Sequence, residues 1–486
     1  MKFLSHRGRC LLIIAFFFST GSHSFALDFE ACKLQHEAIK LDAQCATLLR
    51  PENPNSDQGR QIEIFVARLP ATTPNPESDA FTVIQGGPGG SSVNLAIRLK
   101  NVIDMVRRDR DVLLIDQRGT GRSNSLKCLI DDQQVSEFDI EVVSKSAREC
   151  KDTLSKTSDL AYYTTSVAVQ DLDAVRAAAG YPQLSIYGVS YGTRVAQHYL
   201  RRFPDQTRLL VIDGVVDVEV NLAGSEIARR SQEAFDNMAA RCSATQACND
   251  QFGDIKEKFE RLRQRLKESP QKIKTRHPTT GELLENELNE GDLLVSVRLM
   301  PYSTETLALL PLLIAQAYDG DYQLLAAQSL LNQESIQELV ATGMHNSVFC
   351  TEDEPFINYQ TIGSAADTYF GDDMQNGMKA TCAQWPKGSI DEDFRKPFDS
   401  DKPILVLSGE SDPVTPPQNG ERAAQMFSNS LHLVMPAHGH GVIARGCMPA
   451  LVTEFLSSAD LDALNTQCIE RERVTPFFLN ASGSRP

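Results

Sequence analysis

The stretch Tyr187-Gly188-Val189-Ser190-Tyr191-Gly192 sets one serine between two glycines, where a strand pattern gives way to a helix pattern. Leu184 to Tyr187 is a short apolar run of strand type, while Val195, Ala196, Tyr199 and Leu200 recur at helical spacing through Thr193 to Phe203. A serine on so sharp a strand-to-helix turn sits in strained backbone, and glycine two residues to either side removes the side chains that would collide. The serine can then stand exposed as a nucleophile. The same three residues also occur in ordinary tight turns, so the reading depends on whether a base, an acid and an oxyanion-binding loop follow in order.

The sequence on either side supplies alternating strands and helices. Upstream, Ile62 to Leu69 alternates like a strand, and Phe81 to Gln85 is a buried strand that stops at Gly86-Gly87-Pro88-Gly89-Gly90. Glycine lets such a backbone approach a ligand closely, and no lysine follows in the spacing of a phosphate loop. Asn94 to Arg107 has helical spacing. Val112 to Asp116 is another buried strand, ending in Gln117-Arg118-Gly119-Thr120-Gly121-Arg122-Ser123. Val167 to Ala179 is a helix closed by Gly180-Tyr181-Pro182, and Leu209 to Ile212 is a strand closed by Asp213-Gly214. Past Asn221 the chain turns charged and then long-helical, and strand patterns return at Ile404 to Ser408 and Leu431 to Met435. This order predicts a mostly parallel sheet with crossover helices, laid down by residues 27–220 and 399–486, and interrupted by a helical cap over 221–398.

Composition narrows the partners and the compartment. A formal charge of −16 argues against nucleic acid and against an anionic membrane surface, which would be repelled. Lys2, Arg7 and Arg9 precede the apolar run Leu11 to Phe18, and Ser24-Phe25-Ala26 offers small residues for a signal peptidase, so Met1 to Ala26 reads as a cleaved secretion signal. The apolar run is too short to span a bilayer, and no later stretch reaches that length. Of the 11 cysteines, Cys10 leaves with the signal, and the remaining even number fits disulfides of a secreted or periplasmic protein. Pairing nearest neighbours gives Cys32 with Cys45, Cys128 with Cys150, Cys242 with Cys248, Cys350 with Cys382, and Cys447 with Cys468. Nothing in the sequence sets an oligomeric state.

Ser190 needs a base, and position excludes most of the nine histidines. His6 and His23 lie in the signal, His36 precedes the sheet pattern, His198 lies along the helix after Ser190, His277 and His345 fall in the cap, and His432 is inside a strand. His438 and His440 remain, in the loop after the last strand. Flanking glycines favour His440. Two histidines could also begin a metal site, but no further ligand completes one, so neither a metal nor a cofactor is expected. The acid belongs at the end of the preceding strand, where Asp412 has Glu410 as its rival. The oxyanion hole would use the N–H of Tyr191 and one from the glycine loop, at Gly87.

Gly-Gly-Pro-Gly-Gly at 86–90, Asp-Gln-Arg-Gly-Thr-Gly-Arg-Ser at 116–123 and Gly-Val-Ser-Tyr-Gly-Thr-Arg at 188–194 together resemble the prolyl aminopeptidase and tripeptidyl aminopeptidase branch of the α/β-hydrolases. Pro403 through Cys468 resembles the carboxy-terminal region of the secreted tripeptidyl enzymes. The resemblance implies an α/β-hydrolase fold with Ser190 as nucleophile, Asp412 as acid and His440 as base. It further implies a serine exopeptidase that cleaves peptides from a free amino terminus, with the cap bounding the cleft. A carboxylesterase would use the same triad, and a non-catalytic binding protein could keep the same fold. A buried substrate ammonium needs a carboxylate partner, and Glu352, in the acidic run beside Cys350, is the expected one.

Overall fold

The computed structural model describes residues 26–56, 58–128, 139–220 and 222–484. The expected secretion signal lies almost wholly outside them, as does Cys10. Nine strands form the main sheet: β1 (Glu30–His36), β2 (Ile39–Pro51), β3 (Gln61–Leu69), β4 (Ala80–Ile84), β5 (Asp111–Ile115), β6 (Leu184–Val189), β7 (Thr207–Asp213) and two that return after the insertion. A separate two-stranded hairpin within the insertion is β8 (Gln271–Arg276) with β9 (Leu283–Leu288), and the returning strands are β10 (Ile404–Gly409) and β11 (Ser430–Met435). The spatial order is β1-β2-β3-β5-β4-β6-β7-β10-β11. The first four strands in that order pair antiparallel, and every pairing from β5 to β11 is parallel. This is the expected α/β-hydrolase architecture, with an antiparallel edge added by β1 and β2.

Strand alternation explains the three layers. On β6, β7 and β10, Ile186, Ile212 and Val406 face one side, and Tyr187, Val211 and Leu407 face the other. The first side packs against Val169, Leu172 and Val175 of the Thr165–Ala178 helix and Val195 and Tyr199 of the Tyr191–Arg202 helix. The second packs against two short helices, Ser92–Arg98 and Lys100–Val106, and against Val452 and Phe455 of the Met448–Ser458 helix. One helix was expected over Asn94 to Arg107. The chain instead breaks at Leu99, whose backbone (φ −86°, ψ 20°) leaves the helical region.

The insertion divides into two parts. From Gly224 to Leu339 its helices enclose a separate apolar core containing Phe235, Phe259, Leu293, Leu313 and Tyr369, which the returning tail joins through Phe477. The Thr342–Glu352 helix instead sinks Met344, Val348 and Phe349 into the core under the main sheet, together with Trp385. The Cys350–Cys382 disulfide lies in this second part (Cα–Cα 5.1 Å). All five disulfides join the neighbouring cysteines named above.

The Asp116–Ser123 motif proves to be a structural knot. Asp116 accepts hydrogen bonds from Ser91 Oγ (2.7 Å) and from the backbone N–H of Val93 and Arg122. Gly121 passes so close that a Cβ there would lie 2.1 Å from Asp116 Oδ2. Arg118, 1% exposed, grips Asp171 with two nitrogens (2.6 and 3.0 Å) and donates to the carbonyls of Glu52 and Tyr162. Truncating such a buried partner leaves Asp171 with Arg50 alone (3.0 Å) and strands several carbonyls. Arg118→Met is therefore expected to lower unfolding free energy by about 3 kcal/mol, read as a lowered urea midpoint, with Ser190 in the folded fraction still labelled by a fluorophosphonate.

Candidate active site

The sequence around Ser190 folds as it does because two helix and strand backbones nearly touch. A Cβ on Gly188 would lie 2.4 Å from the Gly192 carbonyl oxygen, and one on Gly192 would lie 2.2 Å from the Ile84 carbonyl oxygen. Only glycine fits at either place. Ser190 itself takes φ 57° and ψ −128°, a strained conformation for a residue with a side chain, held because its N–H donates to the Asp213 carbonyl (3.0 Å) and its carbonyl accepts from Thr193 N and Oγ1 (2.9 and 2.6 Å). The turn lifts Ser190 into partial exposure above a wholly buried β6.

The glycine loop lies directly against this serine. A Cβ on Gly86 would sit 2.6 Å from Ser190 Cβ and 3.1 Å from its Oγ. Gly87 (φ 118°) follows, and its N–H donates to no acceptor among the described residues. Tyr191 opens the helix after Ser190, where first-turn N–H groups have no intrahelical acceptor. The glycine loop and the start of that helix, which carry the two expected oxyanion donors, both adjoin Ser190. The loop's far side is held by the insertion, since Ala341 N donates to the Gly89 carbonyl (3.0 Å).

His440 and Asp412 come together at the ends of β11 and β10. His440 Nδ1 lies 2.7 Å from Asp412 Oδ2, which also accepts from Thr415 Oγ1 (2.8 Å), while Asp412 Oδ1 accepts from the N–H groups of Val414 and Thr415. With Nδ1–H donated to Asp412, Nε2 is left to accept a proton. No hydrogen bond joins Ser190 Oγ to the His440 ring here, and contacts of this kind often tighten only in the reacting complex. The rivals are occupied elsewhere. His438 Nε2 faces Glu472 (3.6 Å), and Glu410 Oε2 accepts from Ala437 N (2.7 Å). Among the described residues no group of three or more His, Cys, Asp or Glu side chains is arranged to hold a metal.

Three residues of the site were not anticipated. Asp213, at the end of β7, offers its carbonyl to Ser190 N and its Oδ2 to the N–H groups of Val442 (2.7 Å) and Ile443 (2.9 Å), just after His440. Thr415 Oγ1 lies 3.0 Å from His440 Nδ1. Tyr302, from the insertion, accepts from His440 N (3.0 Å) and sets its ring edge-on to the imidazole at 5.2 Å. A sequence gives little signal for these, because a carbonyl and a hydroxyl act by position.

Glu352 is placed otherwise than expected. It has no exposed surface, and its oxygens accept from Thr165 N (2.6 Å) and Thr165 Oγ1 (2.8 Å). Burial pushes its carboxyl up to about 7, against the opposing pull of Arg194. Asp353 beside it is gripped by Arg194 through two nitrogens (2.8 and 2.9 Å). An incoming ammonium would have to displace Thr165 to reach Glu352, so the amine-partner expectation finds no support in this geometry. Asp213 is likewise raised by burial, to about 6, with the N–H bonds of Ile443 and Val442 opposing.

Burial would depress His440, but the Asp412 carboxylate, aided by Asp213, outweighs it and raises the imidazole above its ordinary value. A base must be neutral to act, so the acid limb of kcat/KM should lie above about 6.5. Asp213→Asn removes one of the anions holding the proton on His440, and the acid limb is expected to move to lower pH. A stopped-rate pH profile of both proteins checks the direction.

Comparison with known proteins matches two family models, "alpha/beta hydrolase fold" over residues 79–280 and "TAP-like protein" over residues 367–468. The tripeptidyl aminopeptidase of Streptomyces lividans is 26% identical over 482 residues, covering 93% of this chain and 88% of that protein. Serine protease Hip1 of Mycobacterium tuberculosis is 24% identical over 477 residues, covering 91% of each. Carboxylesterase B of Mycobacterium tuberculosis is 26% identical over 471 residues, covering 88% of this chain and 86% of that protein. The first model takes in Ser190 and the second takes in Asp412 and His440, and with the strand order they make this chain a serine hydrolase of the α/β-hydrolase fold.

Proposed function

We propose that the chain is an exported serine exopeptidase that removes short amino-terminal pieces from peptides through an acyl-enzyme. The observation that carries this reading is the TAP-like match over residues 367–468, which spans Asp412, His440 and the Cys447–Cys468 disulfide. The relatives named for tripeptidyl aminopeptidase and serine protease activity support it over nearly the whole chain. Five disulfides fit an oxidising compartment outside the cytoplasm.

The steps follow from the geometry. Ser190 Oγ attacks the scissile carbonyl carbon while His440 Nε2 takes its proton, and Asp412 stabilises the imidazolium that forms. Negative charge collects on the carbonyl oxygen and, on this reading, is received by the N–H groups of Tyr191 and Gly87. His440 returns the proton to the leaving amine as the C–N bond breaks. Water then repeats the sequence on the ester, with His440 as base, and frees Ser190 and the acyl product.

The match to a carboxylesterase favours a second reading, ester hydrolysis by the same residues. Ser190→Ala and His440→Ala should each lower kcat by roughly 10⁴-fold or more, and the double variant should be little worse than either, because the residues act as a unit. His438→Ala should keep most turnover. Comparing tripeptidyl and prolyl anilides with simple acyl esters separates the readings: anilide kcat/KM near zero beside rapid ester turnover would overturn the peptidase.

A further inference from the structure

Among the described residues Arg298 is a cation with no counter-ion, at the edge of the candidate catalytic site. It closes the last turn of the Glu290–Leu299 helix, one turn ahead of Tyr302, the residue that holds His440 by its backbone and ring. His440 is set chiefly by burial and Asp412, and Arg298 lies close enough to oppose its protonation as well. Burial lowers His345, which donates to the Pro88 carbonyl in the glycine loop, and Arg298 again adds to the lowering. The charge of Arg298 is thus felt both by the expected base and by the histidine beside the glycine loop. The Arg298 Nε is buried without a hydrogen bond. Among the described residues no carboxylate lies within ion-pair distance of it, whereas Arg110, Arg118 and Arg194 are each paired with an aspartate.

We propose that Arg298 receives a carboxylate carried by the substrate, bound beside Ser190 and His440. A buried donor left unpaired costs free energy that an arriving acceptor recovers, and a guanidinium is shaped to take a carboxylate through two parallel bonds. The position gives the pairing a second consequence. His440 must become a cation as Ser190 attacks, and a bare guanidinium nearby opposes that charge. A substrate carboxylate that neutralises Arg298 removes the opposition at that step, so its binding energy is expressed in kcat as well as in KM. The carboxylate can come from the α-carboxylate of a short peptide or from an acidic side chain near the scissile bond. The identity of the substrate rests on the peptidase reading; the carboxylate site itself does not.

Three matched pairs test it: a tetrapeptide as free acid and as amide, a longer amidated peptide with Glu or Gln beside the scissile bond, and nitrophenyl esters whose acyl chain ends in a carboxylate or in its amide. Wild-type enzyme should favour at least one acid member by about tenfold in kcat/KM, with part of the preference in kcat. Arg298→Gln should bring that ratio close to one, Arg298→Lys should keep part of it, and the acid limb of Arg298→Gln should move to higher pH. Preference confined to the first pair assigns the terminal carboxylate, and preference confined to the second assigns the side chain. If peptides are not cleaved and esters are, the peptidase reading falls and the ester pair alone decides the carboxylate site. No preference in any pair, or a preference that survives Arg298→Gln, overturns the proposal.

Discussion

Asp213 holds the two halves of the candidate catalytic site together. Its carbonyl fixes the N–H of Ser190 in a turn that no unconstrained serine would keep, and its carboxylate gathers the two N–H groups that follow the His440 loop. Tyr187 donates to the same oxygen from the neighbouring strand (3.0 Å). One residue at the carboxyl end of β7 thereby sets the separation between nucleophile and base, across a sheet whose strands were made far apart in the chain. Its burial keeps the carboxyl's partners few and strong, since a hydrogen bond shielded from water is worth more than one at the surface.

The insertion is tied into this centre rather than laid over it. Ala341 clasps the glycine loop, Tyr302 clasps the His440 loop, and Asp353 is bound to Arg194 on the helix that Ser190 begins. Each of these contacts joins the insertion to a different catalytic element. The Arg194–Asp353 pair is wholly buried, and breaking one side of such a pair costs about 3–5 kcal/mol. Movement of the Thr342–Glu352 helix would therefore disturb oxyanion loop and nucleophile helix together.

The candidate catalytic residues were legible because the proposed chemistry requires side chains of fixed type in a fixed order. Ser190 stood out by its glycines, and Asp412 and His440 by following strands that read clearly as apolar runs. The parallel strands were legible for the same reason, since burial on both faces leaves continuous Val, Leu and Ile. The edge strand Glu30–His36 was not, because one solvated face and charged residues mask its alternation. The hairpin at Gln271–Leu288 was hidden likewise, with Lys, Glu and Arg on its exposed positions. Acidic Cys350-Thr351-Glu352-Asp353-Glu354 read as a surface for a cation, but two of its three acids are buried against Thr165 and Arg194. Charge in a sequence does not say which side of the surface it occupies.

The order in which the sheet is threaded bears on when the enzyme comes to exist. Ser190 and the strand beneath it belong to the first half of the chain, whereas β10 and β11, which deliver Asp412 and His440, come only after the whole insertion, and Phe477 closes the insertion's core later still. A polypeptide emerging from its amino end can fold the early strands, but it holds a serine with no base to activate it. On the proposed assignment, hydrolytic power arrives only with the last two strands, and a chain lacking them carries neither the acid nor the base for Ser190.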